Sequence, residues 1–363
     1  MNLTRCLLVF SVASMVACSA GPDDTDGLAP SVSDVQQRAW RRLGSAPASH
    51  RVANESPDPV ALRRPSRLAS RVPAGASVLD MDGGEFIGAV DRARVAQNVA
   101  AYDRTRAEGP VEARTRPAVV SDPHGAFQNI QGFSDNRTRI STGSLDNAPY
   151  KYIGRYEIPV TAGTISTCTG TLIGSRYVAI AAHCVYDRDD DAWIYGYNST
   201  LGIYRGKFCI DGVCANVSAR KMSPGWAGAS DLNFREHDYA LLKLDSTLGT
   251  TNGTMGLSSI TNDGTVRDLD ARNHGYPGDP PDGTASSATN LWGMHCDIVA
   301  ALSGRLAYNC DTTPGHSGGP VYYYNSNGTY YILAVHSGPN AFDNTGARMS
   351  TVRGWFIDEM AGW

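Results

Sequence analysis

Beyond Phe127 the chain is assembled from short runs of β-branched and aromatic residues, cut at close intervals by Gly, Asn, Asp and Pro. The clearest are residues 152–159, 170–174, 177–182, 239–244, 321–324 and 330–335. Runs of this length bounded by turn residues form strands, and almost nothing here repeats with helical spacing. Many short strands with tight connections close into a barrel or stack as a sandwich, so this part of the chain reads as all-β. One stretch departs: Val352, Trp355, Phe356, Glu359 and Met360 suit a closing helix.

The N-terminal third has a different texture. Arg5 precedes an apolar run over residues 6–17 that ends at Cys18, the pattern of a signal peptide over 1–18. The run is too short to span a bilayer as a helix. Met15-Val16-Ala17-Cys18 also resembles a bacterial lipobox with Met where Leu is usual. Either Cys18 carries lipid, giving an envelope-associated protein, or it leaves with the leader. Residues 21–129 hold fourteen Arg, no Lys and fourteen Asp plus Glu, and Pro57, Pro59, Pro65 and Pro73 break up the middle. Residues 91–106 predict one amphipathic helix through Val95, Val99 and Tyr102. With so little to build a core, 19–129 reads as a pro-segment or tether; a small independent domain is the other reading.

A formal charge of −4 argues against a nucleic-acid partner held through phosphates. Export makes the cysteines informative. Six remain after the leader: Cys168, Cys184, Cys209, Cys214, Cys296 and Cys310. An even number in an oxidising compartment suggests three disulfides, and their order leaves the pairing open. No Cys-x-x-Cys spacing supports a zinc site. The acidic run 187–191 lacks the spaced ligands of a known calcium loop and reads as solvated. No metal or cofactor is expected.

Three segments carry chemistry, in the order His, Asp, Ser. A strand of small and branched residues ends at Ala182-His183-Cys184; Asp238 stands immediately before the apolar run 239–244; Ser317 lies within Pro314-Gly315-His316-Ser317-Gly318-Gly319-Pro320. A serine hydroxyl needs a base to take its proton, and imidazole titrates in the right range. The base needs a carboxylate on its other nitrogen to fix its tautomer. Gly315 lets the backbone turn so that the amides of Gly315 and Ser317 face a developing oxyanion. Gly318 and Gly319 leave room for substrate and for the strand that follows. Gly315-His316-Ser317-Gly318-Gly319 also fits the nucleophile elbow of α/β-hydrolases, which needs acid and then base downstream. Only 46 residues follow Ser317, and His336 precedes Asp343, so that order is wrong.

These segments resemble the signature motifs of chymotrypsin-like serine proteases, over residues 130–363. The resemblance implies two six-stranded antiparallel barrels with the site between them and a C-terminal α-helix; the composition of 19–129 puts a poorly structured or helical pro-segment ahead of them. It implies His183 as general base, Asp238 as its orienter and Ser317 as nucleophile, with Cys168 bridged to Cys184. Proximity in sequence adds Cys209–Cys214 and Cys296–Cys310. Trypsin-type enzymes keep Asp before the nucleophile to receive the new N-terminal amine; His316 stands there and offers no such charge.

Two features compete over specificity. Asp311 lies where trypsin-like enzymes hold a carboxylate for Arg or Lys. Thr312, with His336 and Ser337 in the run 332–338, is similar instead to the bacterial glutamyl endopeptidases, where Thr or Ser and His hold a substrate carboxylate. A pocket imidazole needs a partner, and a carboxylate supplies one. The stretch from Ile130 resembles a glutamyl endopeptidase mature N-terminus, implying cleavage at Asn129–Ile130 and an Ile130 amine that helps bind substrate. The sequence therefore predicts a secreted, monomeric serine endopeptidase, made as a zymogen and cutting protein or peptide substrates after Glu or Asp. Cleavage after Arg or Lys is the alternative within that class, and an inactive binding protein on the same scaffold the alternative outside it.

Overall fold

The strand-rich runs do become strands, and their pairing determines where the chemistry lies. The computed structural model describes residues 41–45, 62–65, 76–81, 84–106, 108–109, 130, 134–161, 164–188, 190–198, 202–228, 234–278, 280–282, 290–340 and 343–363. The leader, Cys18 and Asn129 lie outside the described residues.

Ahead of residue 130 come β1 (Arg41–Ser45), β2 (Leu62–Pro65), β3 (Ala76–Met81), β4 (Gly84–Ala89) and helix α1 (Arg92–Thr105). The next half holds β5 (Thr138–Arg139), β6 (Ile153–Thr161), β7 (Thr164–Leu172), β8 (Tyr177–Ile180), β9 (Tyr186–Asp187), β10 (Ala192–Asn198), β11 (Gly202–Tyr204), β12 (Lys207–Ile210) and β13 (Val213–Met222). Helix α2 (Pro224–Gly228) precedes β14 (Ala240–Leu244). Then follow α3 (Leu248–Asn252), β15 (Gly256–Leu257), α4 (Asp263–Arg267), β16 (Ala271–Gly275), β17 (Trp292–Cys296), β18 (Ile298–Ala301) and β19 (Arg305–Tyr308). The chain finishes with β20 (Pro320–Tyr324), β21 (Tyr330–Pro339), β22 (Asn344–Arg348) and helix α5 (Met349–Ala361).

The first barrel is a closed six-strand ring, β13-β12-β6-β7-β8-β14 and back to β13. Ring closure gives β14 a partner on each side, β8 and β13, and its five residues are all buried. Ile153, Leu172, Ile180, Phe208 and Leu242 fill the interior. The second barrel follows the order β18-β19-β22-β21-β20-β16-β17, with β5 on the far edge. Its hydrogen-bonded path stays open between β18 and β17, so it is a half-barrel around Leu306, Tyr308, Val321 and Leu333. The closing helix is present as α5, with Val352, Trp355 and Phe356 buried.

The segment before residue 130 contributes more than its sequence promised. Helix α1 forms as expected, with Asp91 capping the amides of Ala93 and Arg94. The addition is the β3–β4 hairpin. Past residue 216, β13 leaves β12, and β3 takes the freed edge with Arg220 opposite Asp80 and Met222 opposite Val78.

Candidate active site

Antiparallel pairing brings the first two side chains together. β8 pairs with β14 so that Ile180 faces Ala240. The residues just past the end of β8 therefore meet those just before the start of β14. A 3-10 turn over Ala182–Cys184 follows β8 and presents His183, while Asp238 lies two residues ahead of β14. His183 Nδ1 is 2.7 Å from Asp238 Oδ2, and the His183 backbone amide donates to Asp238 Oδ1 at 2.9 Å. The Ser337 hydroxyl donates to the same carboxylate. Asp238 is fully buried. Burial pushes its pKa up, but the His183 ring and the bonds from His183 and Ser337 outweigh it and hold the carboxyl below the usual range. An ionised carboxylate can only accept, so Nδ1 carries the proton and the Nε2 lone pair is free.

Ser317 comes from the second barrel, three residues before β20. Its carbonyl accepts the amide of Thr169 at 2.8 Å and lies 3.7 Å from Cys184 Sγ, so residue 317 rests against the turn that carries His183. No hydrogen bond joins the Ser317 hydroxyl to His183 among the described residues. Such bonds are often long in free enzymes and tighten when substrate arrives. Gly315 has φ +105°, and a side chain there would meet Tyr276 O at 2.3 Å. Gly318 has φ +82°, and its absent Cβ would lie 2.3 Å from Thr169 O and 2.6 Å from Ile180 Cγ1. The space left by Gly318 is therefore filled by the first barrel, not by substrate as its sequence context suggested. The amides of Gly315 and Ser317 donate to no other group among the described residues.

Three residues that the sequence gave no reason to select hold this loop. Thr169 donates its hydroxyl to Gly315 O at 2.7 Å and accepts the Tyr276 amide at 2.9 Å, joining the two barrels. Arg137 reaches Thr313 Oγ1 at 2.7 Å and His316 Nε2 at 3.3 Å. Asn273 Oδ1 is 3.0 Å from His316 Nδ1. Burial, reinforced by Arg137, holds the pKa of His316 well below the usual range. A neutral ring that donates to Asn273 and accepts from Arg137 satisfies both contacts. The position that receives an amine in trypsin-type enzymes thus receives a guanidinium instead.

The specificity candidates separate. His336 is buried within β21, with Nδ1 2.6 Å from the Tyr308 hydroxyl. Burial lowers its pKa to about 3, so the ring is neutral. Thr312 is buried, and Ile130 is half-buried. The Asp311 carboxylate accepts the amide of Asn136 at 2.7 Å and so is engaged by the domain's own N-terminal stretch. Ser337, expected among the substrate-binding residues, turns its hydroxyl onto Asp238; only its backbone is left to meet a substrate. A cleft of about 370 Å³ opens beside His183, lined among others by Asp187, Arg188, Trp226, Phe234 and Arg235. Arg188 stacks on Phe234 with its guanidinium 4.4 Å from the ring centre. All three expected disulfides are formed: Cys168–Cys184, Cys209–Cys214 and Cys296–Cys310.

The family model described as Trypsin matches residues 147–352, more than half of the chain. The chain belongs to the trypsin family. Its likeness extends to an "Extracellular metalloprotease" of Bacillus subtilis, 30% identical over 60% of this chain and 65% of the relative. A "Glutamyl endopeptidase" of Bacillus licheniformis is 28% identical over 70% of this chain and 76% of the relative. A solved structure of a Glu endopeptidase in complex with MPD matches at 24% identity and a TM-score of 0.49, over 63% of this chain and 97% of the other. Among the described residues the one cluster of potential metal ligands is Cys168, His183 and Cys184, and its two sulfurs are joined to each other.

Proposed function

We propose that this trypsin-family serine protease is an exported endopeptidase that cuts peptide bonds after Glu or Asp. The observation that carries the hydrolytic reading is the His183–Asp238 pair, 2.7 Å apart, beside the backbone of Ser317. In this reading His183 Nε2 takes the Ser317 proton as Oγ attacks the scissile carbonyl. Asp238, held by Ser337, stabilises the imidazolium that results. The amides of Gly315 and Ser317 donate to the oxyanion, where one donor contributes roughly 3–4 kcal/mol to the transition state. His183 then protonates the leaving amine, and water releases the acyl group by the same steps in reverse.

Three features support acidic substrates. When the Tyr308 hydroxyl donates to His336 Nδ1, Nε2 carries the proton and is a neutral donor suited to a carboxylate. Arg188 and Arg235 line the cleft beside His183, although Asp187 lines it too. Asp311 is engaged by the Asn136 amide and is thereby less available to an incoming Arg or Lys. The leader and the three disulfides support export, free or held by lipid on Cys18. The new N-terminus at Ile130 is the proposed product of zymogen cleavage. The test is a peptide series differing only at the residue before the cut. Glu should exceed Arg in kcat/KM by at least a hundredfold, and His336→Leu should erase the difference through the Glu peptide. Preference for Arg would overturn the specificity, and no cleavage of any peptide would favour a binding protein on this scaffold.

A further inference from the structure

The segment ahead of residue 130 is attached to the protease by more than a loose tether. Asp80 on β3 is fully buried, and its carboxylate serves two arginines of the first barrel. Oδ2 accepts from Arg220 Nη2 at 2.7 Å and Nε at 3.0 Å, and from Arg205 Nε at 3.0 Å. Oδ1 accepts from Arg205 Nη2 at 3.1 Å and from the Tyr195 hydroxyl at 2.8 Å. Arg220 is itself fully buried, with its guanidinium 4.9 Å from the Trp193 ring centre and 4.6 Å from that of Tyr195. Among the described residues Asp80 is the carboxylate paired with either arginine. A buried guanidinium stripped of its carboxylate is strongly destabilising. Among the described residues the trypsin-family domain supplies no carboxylate of its own to Arg205 and Arg220.

Other contacts extend the attachment across α5. Ser77 accepts the Trp355 indole N–H at 2.8 Å and donates to Glu359. Arg94 grips Asp358 with two bonds of 2.8 Å, and Asn98 adds a third at 2.9 Å. Arg353 pairs with Asp103. Glu108 accepts the amide and hydroxyl of Ser259, both at 2.6 Å. The described residues of this segment do not line the cleft beside His183. The attachment thus leaves the candidate active site uncovered by those residues.

We infer that the described residues of the segment 76–109 are a permanent clamp on the protease, binding the surface formed by β13, Arg205 and α5, and that they stay bound after the chain is cut before Ile130. The cut is the only element taken from the proposed zymogen reading. Twenty residues separate Gly109 from Ile130, a reach of roughly 65 Å when extended, so cleavage there places no strain on the clamp.

The experiment is native and denaturing mass spectrometry of the full chain after maturation, or after limited proteolysis within 110–129. The expected result is one native species containing both fragments, which separate only in denaturant. A protease that runs alone under native conditions, with activity and melting temperature unchanged, would overturn the clamp. Arg94→Ala with Asp103→Ala, on the outer helix, should speed loss of the fragment at least tenfold while the barrels stay folded; no change would count against it. Asp80→Leu with Arg220→Met tests the buried pair: this double variant should fold better than Asp80→Leu alone. Loss of peptide cleavage with the fragment still bound would instead indict the proteolytic reading.

Discussion

Replacing Asp238 by Asn tests the site at its most constrained atom. The two carboxylate oxygens accept three donors: the His183 amide on Oδ1, and His183 Nδ1–H and the Ser337 hydroxyl at the other end. An amide of the same shape keeps one accepting oxygen and puts two N–H donors on the other side. If the oxygen keeps the His183 backbone amide, the –NH₂ faces Nδ1, and the imidazole must move its proton to Nε2 to accept. A ring protonated on Nε2 cannot take the Ser317 proton. The loss expected for a wrong-tautomer histidine is about 10⁴ in kcat, or roughly 5.5 kcal/mol of barrier. Binding should change little, so KM should stay within a few-fold. The assay is steady-state cleavage of the preferred peptide by the variant, with circular dichroism to confirm folding. A folded Asp238→Asn enzyme within tenfold of the parent kcat would refute the orienting role.

Three further outcomes follow from the buried contacts. Thr169→Val keeps the shape but strands the Tyr276 amide in a buried site, which costs about 1–3 kcal/mol; thermal melts should show a drop of several degrees, with kcat falling as Gly315 loses its anchor. Gly318→Ala forces a side chain into Thr169 O and Ile180; a displacement of about 1 Å at the nucleophile costs on the order of 10² in rate, measurable on the folded enzyme by active-site titration. Stability should also fall in acid. His274 and His336 have pKa values lowered to about 3 and His316 is held well below its usual value, all by burial. Folding therefore keeps them neutral, and between the unfolded value near 6.5 and the folded value the unfolded chain binds more protons. Their contribution is complete above pH ~6.5 and is lost toward pH ~3, at about 1.4 kcal/mol per pH unit for each histidine. Asp80, lowered to about 2 by Arg205 and Arg220 against the effect of burial, adds a loss in the same direction below pH ~4. Melting temperatures that stay flat from pH 7 to pH 4.5 would contradict this account.

Much of the site was readable in the chain because its chemistry sits at strand ends. His183 closes a run of small branched residues, Asp238 opens an apolar one, and Ser317 stands among glycines whose positive φ the loop requires. Antiparallel pairing of β8 with β14 then does the rest, since it aligns the end of one run with the start of the other. What escaped the sequence were partners set by tertiary packing. Arg137 reaches His316 across 179 positions and Thr169 reaches Gly315 across 146, with no local pattern to mark them. The β3 strand was missed for a related reason. Val78 and Leu79 make an apolar pair too short to declare a strand, and the edge they need exists only once β13 has parted from β12. Asp80, within that short run, gained its meaning only from Arg205 and Arg220, more than a hundred residues away.

The most direct measurement is intact mass after incubation with a fluorophosphonate at neutral pH, for the parent chain and for Ser317→Ala. One phosphonyl group on the parent, mapped to Ser317 and suppressed when His183 is replaced, is the predicted result. An unmodified parent that is folded, or equal labelling of Ser317→Ala, would contradict the account.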